Sequence, residues 1–250
     1  MASVLETRKL CKNFGALTVA QSIDFRLAAG DRHALIGPNG AGKTTFVNLL
    51  MGVLAPSSGA ILLGGEDVTR APQSRRVRGG LGRTFQINTL FRNLPVLDNV
   101  ALAVAERSGL ALRLWRPASS YREIKDEAMA LLATLGLADD AAARVADLPY
   151  GKQRLVEIAI ALGLKPKVLL LDEPAAGVPS EESSRILKNL ENLPAEIAIL
   201  IIEHDMDIVF RFAKRITVLV QGEVLVEGTP EEIARDPRVR QVYLGEGAHG

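Results

Sequence analysis

The sequence predicts an α/β protein: a mainly parallel sheet flanked by helices, with a helical lobe inserted between its two halves. Three observations carry this. A glycine-rich turn, "GPNGAGKTT", sits between a short apolar strand ("ALI") and an apolar helix ("TTFVNLLMGVL"). From about residue 163 onward strand and helix patterns alternate, as they do where helical crossovers lay strands parallel. Between about residues 97 and 162 the pattern is helical.

The N-terminal third reads as strands. "SIDFRL" alternates apolar and polar residues, as a half-buried strand does, "HALIG" is a short apolar run ending in glycine, and "AILLGG" closes at Gly64–Gly65. In the central segment, "EIKDEAMALLATLGL" puts Ile124, Ala128, Leu131, Leu132 and Leu135 on one helix face, and Gly136 can stop it. Beyond it come "VLLL", a helix over 181–193, "IAILII", a helix over 205–213, and "RITVLV". The expected organisation is one domain, 1–250, with a core of 1–95 and 163–250 and a helical subdomain at about 96–162. No internal repeat, low-complexity tract or flexible linker is visible.

Composition narrows the function classes. Hydrophobic residues make up 48% and charged residues 24%, which is globular rather than disordered. A net charge of +1 gives no bulk grip on nucleic acid or an anionic membrane, so no nucleic-acid partner is expected. One cysteine, Cys11, excludes a disulfide within the chain and favours a reducing compartment. No basic-then-apolar leader opens the chain, and its apolar runs are far shorter than the roughly 20 residues that span a bilayer. A soluble protein is expected, with any membrane role coming through partners.

"GPNGAGKTT" is the most specific signal. Gly37, Gly42, Lys43 and Thr44 match G-x-x-x-x-G-K-[ST]. Glycines let successive backbone N–H groups turn inward around phosphate oxygens, Lys43 brings a point charge to the β- and γ-phosphates, and the Thr44 hydroxyl can ligate Mg²⁺. In "VLLLDEP" a buried strand ends in Asp172 and Glu173, at the carboxyl edge where α/β sheets bind ligands. Asp172 would hold Mg²⁺, and Glu173 would orient and deprotonate an attacking water. Taken alone, that pair reads more readily as a solvated turn after a strand, and it is the glycine-rich motif beside it that turns the reading. "ILIIEHDM" repeats the geometry, its strand Ile197–Ile202 delivering His204 to the same edge. Gln86, in "RTFQ", is a neutral amide able to touch both Mg²⁺ and a water. Phe14, in "KNFGAL", reads either as a core aromatic or as a ring that stacks on a purine.

One further stretch is odd. "LPYGKQRLVEIAIAL" is a turn opening into a helix with Lys152 and Arg154 in its first turn. Cations there work against the helix dipole, so the turn suits an anion better than bare solvent.

With these pieces in this order, the chain resembles the ATP-binding-cassette (ABC) ATPases over nearly its whole length. The resemblance implies a P-loop NTPase of ABC type, with an N-terminal antiparallel β part beside the parallel core. It implies ATP and Mg²⁺ as ligands. Gly37, Pro38, Asn39, Gly40, Ala41, Gly42, Lys43, Thr44 and Thr45 would be the Walker A motif and Gln86 the Q-loop glutamine. Walker B would end in Asp172 and the catalytic Glu173. His204 would be the switch histidine and Phe14 the base-stacking aromatic. "LPYGKQR" falls at the family signature, through Pro149, Tyr150, Gly151 and Lys152. In the family the signature of one subunit caps the γ-phosphate of ATP held by the other, which supplies the anion.

"GRTFQ", "DEPAAGV", "IIEHDMDIVF" and the tail "EGTPEEIARDPRVRQVYLG" are similar to ATPase subunits of branched-chain amino-acid importers, as is "LRLWRPASSYREIKDEA". That resemblance implies membrane permease partners, a periplasmic solute-binding protein indirectly, and a peripheral place on the cytoplasmic face of the inner membrane. Arg113, Arg116 and Arg122 read as a solvated loop or as a face for headgroups or a partner.

The chain departs from the family pattern at two places. The signature serine is Pro149, which has neither a hydroxyl nor an N–H to offer, the next glycine is Tyr150, and the glutamine is Lys152. In "AAGVPS", Pro179 stands where the family has Asp or Asn. Both lie on the part offered to a partner's nucleotide, so a heterodimer with a related ATPase subunit is favoured over a homodimer. A soluble cassette outside transport and a non-hydrolysing nucleotide-binding regulator are the alternatives.

Overall fold

The computed structural model describes residues 3–84, 90–109 and 118–245, without the side chains of 118–120, 244 and 245. The chain divides into two compact units, one of residues 1–81, 167–173 and 195–250, the other of 82–166 and 174–194.

The first unit is built on two sheets. Strands β1 (Ser3–Phe14), β2 (Leu17–Ala28), β4 (Ser58–Leu63) and β5 (Glu66–Asp67) form an antiparallel sheet in the order β2-β1-β4-β5. The second sheet has the order β10-β9-β3-β8-β7-β6, from β3 (Arg32–Ile36), β6 (Leu81–Arg83), β7 (Val168–Asp172), β8 (Ala198–Ile202), β9 (Arg215–Val220) and β10 (Glu223–Gly228). Strands β9, β3, β8 and β7 run parallel, and β10 is antiparallel to β9. Every residue of β3, β7 and β8 is buried. That is the burial of parallel strands covered on both faces, and it is why they read as continuous apolar runs rather than alternating ones.

Helix α1 (Lys43–Met51) follows the glycine-rich turn and buries Phe46, Val47, Leu49, Leu50 and Met51. These side chains form one cluster with Leu5, Ile23, Phe25 and Leu27 of the antiparallel sheet and with Leu35, Leu170, Leu200 and Ile202 of the parallel one. Helix α1 is therefore the filling between the two sheets. The unit is completed by α2 (Gln73–Arg78), α7 (Met206–Phe212), α8 (Pro230–Arg235) and α9 (Pro237–Gly245).

The second unit contains α3 (Val96–Arg107), α4 (Ala118–Thr134), α5 (Tyr150–Gly163) and α6 (Ser180–Glu191). On α4 the expected face is inward, with Ile124, Ala128 and Leu132 buried and Leu135 buried just past its end. Gly136 follows with φ 69, a left-handed stop. Arg107 reaches both Glu127 on α4 and the carbonyl of Gly163 at the end of α5, tying three helices together. Helix α6 groups with these helices and not with the strands that flank it in sequence. Its Asn189 donates to the Leu135 carbonyl at 3.1 Å.

Candidate active site

Strand β3 ends at Ile36, and residues 37–42 turn the chain into α1. The turn is wedged: a Cβ at Gly37 would lie 2.1 Å from the Leu219 carbonyl oxygen, and one at Gly42 would lie 2.7 Å from that of Val19. Gly42 is also the N-cap of α1, with φ 99. Asn39 and Gly40 are exposed, and Pro38 partly so, whereas Ala41 is buried and accepts from the Gly222 N–H at 2.9 Å. Helix α1 starts with no side-chain cap and no acidic residue in its first turn. Its leading amides and positive dipole end suit an external anion. Lys43 curls back over the loop, its Nζ donating to the carbonyls of Gly37 at 2.6 Å and Pro38 at 2.9 Å. Thr44 is exposed and Thr45 partly so.

Asp172 is level with Ile202 across β7–β8, and Ile202 is level with Leu35 across β8–β3. At a strand spacing of about 4.8 Å, the glycine loop, the acidic pair and the residues after β8 leave one edge within roughly 10 Å. Asp172 is 5% exposed. Glu173 takes a left-handed backbone, φ 47, and its N–H donates to the Ile202 carbonyl at 2.9 Å. Its Oε1 lies 3.5 Å from His204 Nδ1. The two residues predicted to act on water and γ-phosphate are thus brought together. Thr44 Oγ1 and the Asp172 carboxylate are hard oxygen donors, which fits Mg²⁺.

Sequence reasoning passed over Glu203. It is 1% exposed, and its Oε2 accepts from the His204 N–H at 3.3 Å. Its signal was a carboxylate directly after six apolar residues, all buried, where burial without a role is rare.

Phe14 ends β1 in a two-residue hairpin and is 49% exposed, so the core-aromatic reading is wrong. Lys12 Nζ lies 4.9 Å from its ring centroid. Gln86, Arg113 and Arg116 lie outside the described residues, while Arg122 is an exposed residue of α4 near Asp126.

In the second unit Pro149 caps α5 with φ −54 and ψ 151 and makes no side-chain cap bond. Both cations of this turn find partners within the unit. Lys152 Nζ lies 2.7 Å from Asp140 Oδ2, and Arg154 Nη1 lies 2.9 Å from Glu157 Oε2. The Tyr150 ring covers Arg154, its centroid 5.1 Å from Cζ. Burial pushes the Glu157 carboxyl above its ordinary range, against the pull of Arg154. Gly151 is buried against α6: a Cβ there would lie 2.2 Å from Glu182 Oε2.

Parallel strands that deliver a phosphate loop, an acidic pair and a histidine to one edge are the working part of a P-loop nucleoside-triphosphatase, and this chain is of that class. Residues 20–176 match the family described as ABC transporter, and the chain belongs to that family. Residues 223–249 match a second description, branched-chain amino acid ATP-binding cassette transporter. The chain is 39% identical over 254 residues, covering 97% of it and 98% of the relative, to the high-affinity branched-chain amino acid transport ATP-binding protein LivG of Escherichia coli (strain K12). It is 36% identical over 247 residues, 98% of each chain, to the lipopolysaccharide export system ATP-binding protein LptB of Acidithiobacillus ferridurans. Among solved structures it is similar to the ADP conformation of an ATP-binding cassette of an ABC transporter, with a TM-score of 0.86 and 29% identity over 98% of this chain and 100% of the other. As a member of the family the chain is an ATP-binding subunit that couples ATP hydrolysis to transport. Among the described residues, no helix is long and apolar enough to cross a membrane.

Proposed function

We propose that this chain is the ATPase subunit of an importer for branched-chain or related amino acids. The observation that carries the reading is the match of residues 223–249 to a branched-chain description, since that stretch lies outside the nucleotide-binding motifs. The tail resemblance and the full-length likeness to LivG point the same way.

The chemistry follows from the edge of the parallel sheet. The backbone N–H groups of residues 39–44 receive the phosphates. Lys43 exchanges the Gly37 and Pro38 carbonyls for β- and γ-phosphate oxygens. Glu173 takes the proton of the attacking water, and His204, held beside it, positions the γ-phosphate. Gln86 senses the same water, and Phe14 stacks on the base. Thr44 and Asp172 are the residues that would hold Mg²⁺, which when bound neutralises phosphate charge.

The signature turn, Pro149 to Lys152, closes over ATP bound by a second cassette. Pro149 brings no hydroxyl to it and Lys152 is already paired, so the site this chain completes for its neighbour is the weaker one. A heterodimer with a related ATPase subunit then keeps one full site. Permease subunits couple the dimer to the solute, delivered by a periplasmic binding protein, with the chain peripheral on the cytoplasmic face of the inner membrane. The likeness to LptB supports a second reading, an exporter subunit with another cargo.

Glu173→Gln tests the hydrolytic assignment: turnover should fall by roughly 10²-fold or more while MgATP still binds. Undiminished turnover refutes it. ATP-dependent leucine uptake into vesicles carrying the chain together with its permease subunits tests the solute. Outward movement of lipid in the same vesicles would favour the exporter.

A further inference from the structure

Arg76, on α2, is the largest fully buried side chain among the described residues, 1% exposed. Its guanidinium donates to four carbonyls. Nη1 reaches Leu49 at 2.6 Å and Leu50 at 2.7 Å, Nη2 reaches Thr69 at 3.0 Å, and Nε reaches Ala71 at 3.1 Å. Leu49 and Leu50 belong to the last turn of α1, where carbonyls run out of intrahelical amides and the helix dipole is negative. A buried cation is tolerable there because dipoles converge on it.

The chain makes room for this contact. Gly52 ends α1 in a left-handed conformation, φ 75, and a Cβ there would come 2.8 Å from Arg76 Nε. The other two carbonyls lie on the strand-to-helix connection after β5. One side chain therefore fastens the far end of α1 to a separate stretch of the first unit.

Helix α1 has nine residues, too few to hold itself in water, and its N-terminus has no side-chain cap. Its placement rests on the packing of its buried face, on the Gly222 N–H donated to the Ala41 carbonyl just before its start, and on this directional clamp at its far end. The clamped end is about 12 Å along the axis from the end that opens on the glycine loop. We propose that Arg76 is a positioning residue for nucleotide binding: by fixing the far end of α1 it sets where the leading amides meet the phosphates. This rests on the reading of residues 37–44 as the phosphate site.

Calorimetric titration of the purified full chain with MgATP, beside its thermal unfolding, tests the proposal. Arg76→Met should weaken MgATP binding at least tenfold at a temperature where circular dichroism shows it folded. KM should rise accordingly, with kcat within about threefold of wild type, as for lost uniform binding. Arg76→Lys, which keeps the charge but not the fork of donors, should bind MgATP more tightly than Arg76→Met yet stay several-fold weaker than wild type. Ile233→Ala, a fully buried residue of α8, should lower the unfolding temperature without moving affinity beyond twofold. Wild-type affinity in Arg76→Met, or an equal loss in Ile233→Ala, overturns the proposal. If Arg76→Met does not fold, Arg76→Lys decides: a several-fold loss of affinity supports the clamp, and unchanged affinity with a lowered unfolding temperature overturns it. Failure of the wild-type chain to bind MgATP would instead remove the nucleotide reading itself.

Discussion

Glu173 keeps a left-handed backbone although its side chain has a Cβ, a conformation that costs about 1–2 kcal/mol in an L-residue. The bend sets its carboxylate beside His204. Glu173→Gly should therefore unfold with a free energy roughly 0.5–1 kcal/mol higher, after allowing for glycine's extra freedom in the unfolded chain, while hydrolysis is abolished. Denaturant unfolding measures it, and a less stable variant would show that the bend is not strained. His33 is a second residue with a measurable consequence. It is fully buried on β3, its Nε2 lies 2.8 Å from Thr217 Oγ1, and Thr217 donates in turn to Glu227. Burial pushes the imidazole from 6.5 down to about 4; Glu227 and Asp31 oppose that shift and Arg215 assists it. The unfolded chain thus binds the proton first as pH falls. Stability from this group is full above pH 6.5 and is lost on the way down to 4, on the order of 3 kcal/mol in all. Between about pH 7 and pH 4.5, wild type should lose more unfolding free energy than His33→Gln; equal losses would contradict the assignment. Neither effect was legible in the sequence. A glutamate carries no mark of its φ, and a histidine in a strand carries none of the Thr217–Glu227 chain behind it.

At the level of elements, four helices have proline as N-cap among the described residues: α2 at Pro72, α3 at Pro95, α5 at Pro149 and α6 at Pro179, none with a side-chain cap bond. Helices α7 and α8 begin instead at Asp205 and Thr229, whose side chains accept from backbone amides. Proline fixes the entry angle but leaves the first amides without an oxygen. Pro149→Ser should add about 1 kcal/mol of stability through an N-cap bond and raise the turnover of the purified homodimer. Unchanged turnover in a stabilised variant would mean that Lys152 or the backbone already serves the neighbouring nucleotide. Elements were the most readable scale. The alternation after residue 163 matches β7, α6, β8, α7 and β9, because each carries a complete apolar run or stripe. The assignment of α6 to the helical unit was not readable. It depends on contacts such as Asn189 with the Leu135 carbonyl, made across more than fifty positions of chain.

For the whole molecule, ligand linkage sets the expected stability. MgATP at a hundred times its Kd should raise the unfolding free energy by about 2.7 kcal/mol, and Glu173→Gln should show the same rise because it binds without turning over. A chain whose melting is unmoved by MgATP would not be a nucleotide-binding cassette. Mixed with a cognate subunit carrying an unaltered signature, it should hydrolyse faster than either alone; purely additive rates would argue against a heterodimer. The pairing of Lys152 with Asp140 and of Arg154 with Glu157 bears on how such a complex assembles. With both cations neutralised inside their own unit, the corner projects little field beyond a Debye length of about 8 Å at physiological ionic strength. Recognition there is decided on touching rather than by steering from afar, so stopped-flow association should be nearly indifferent to added potassium chloride.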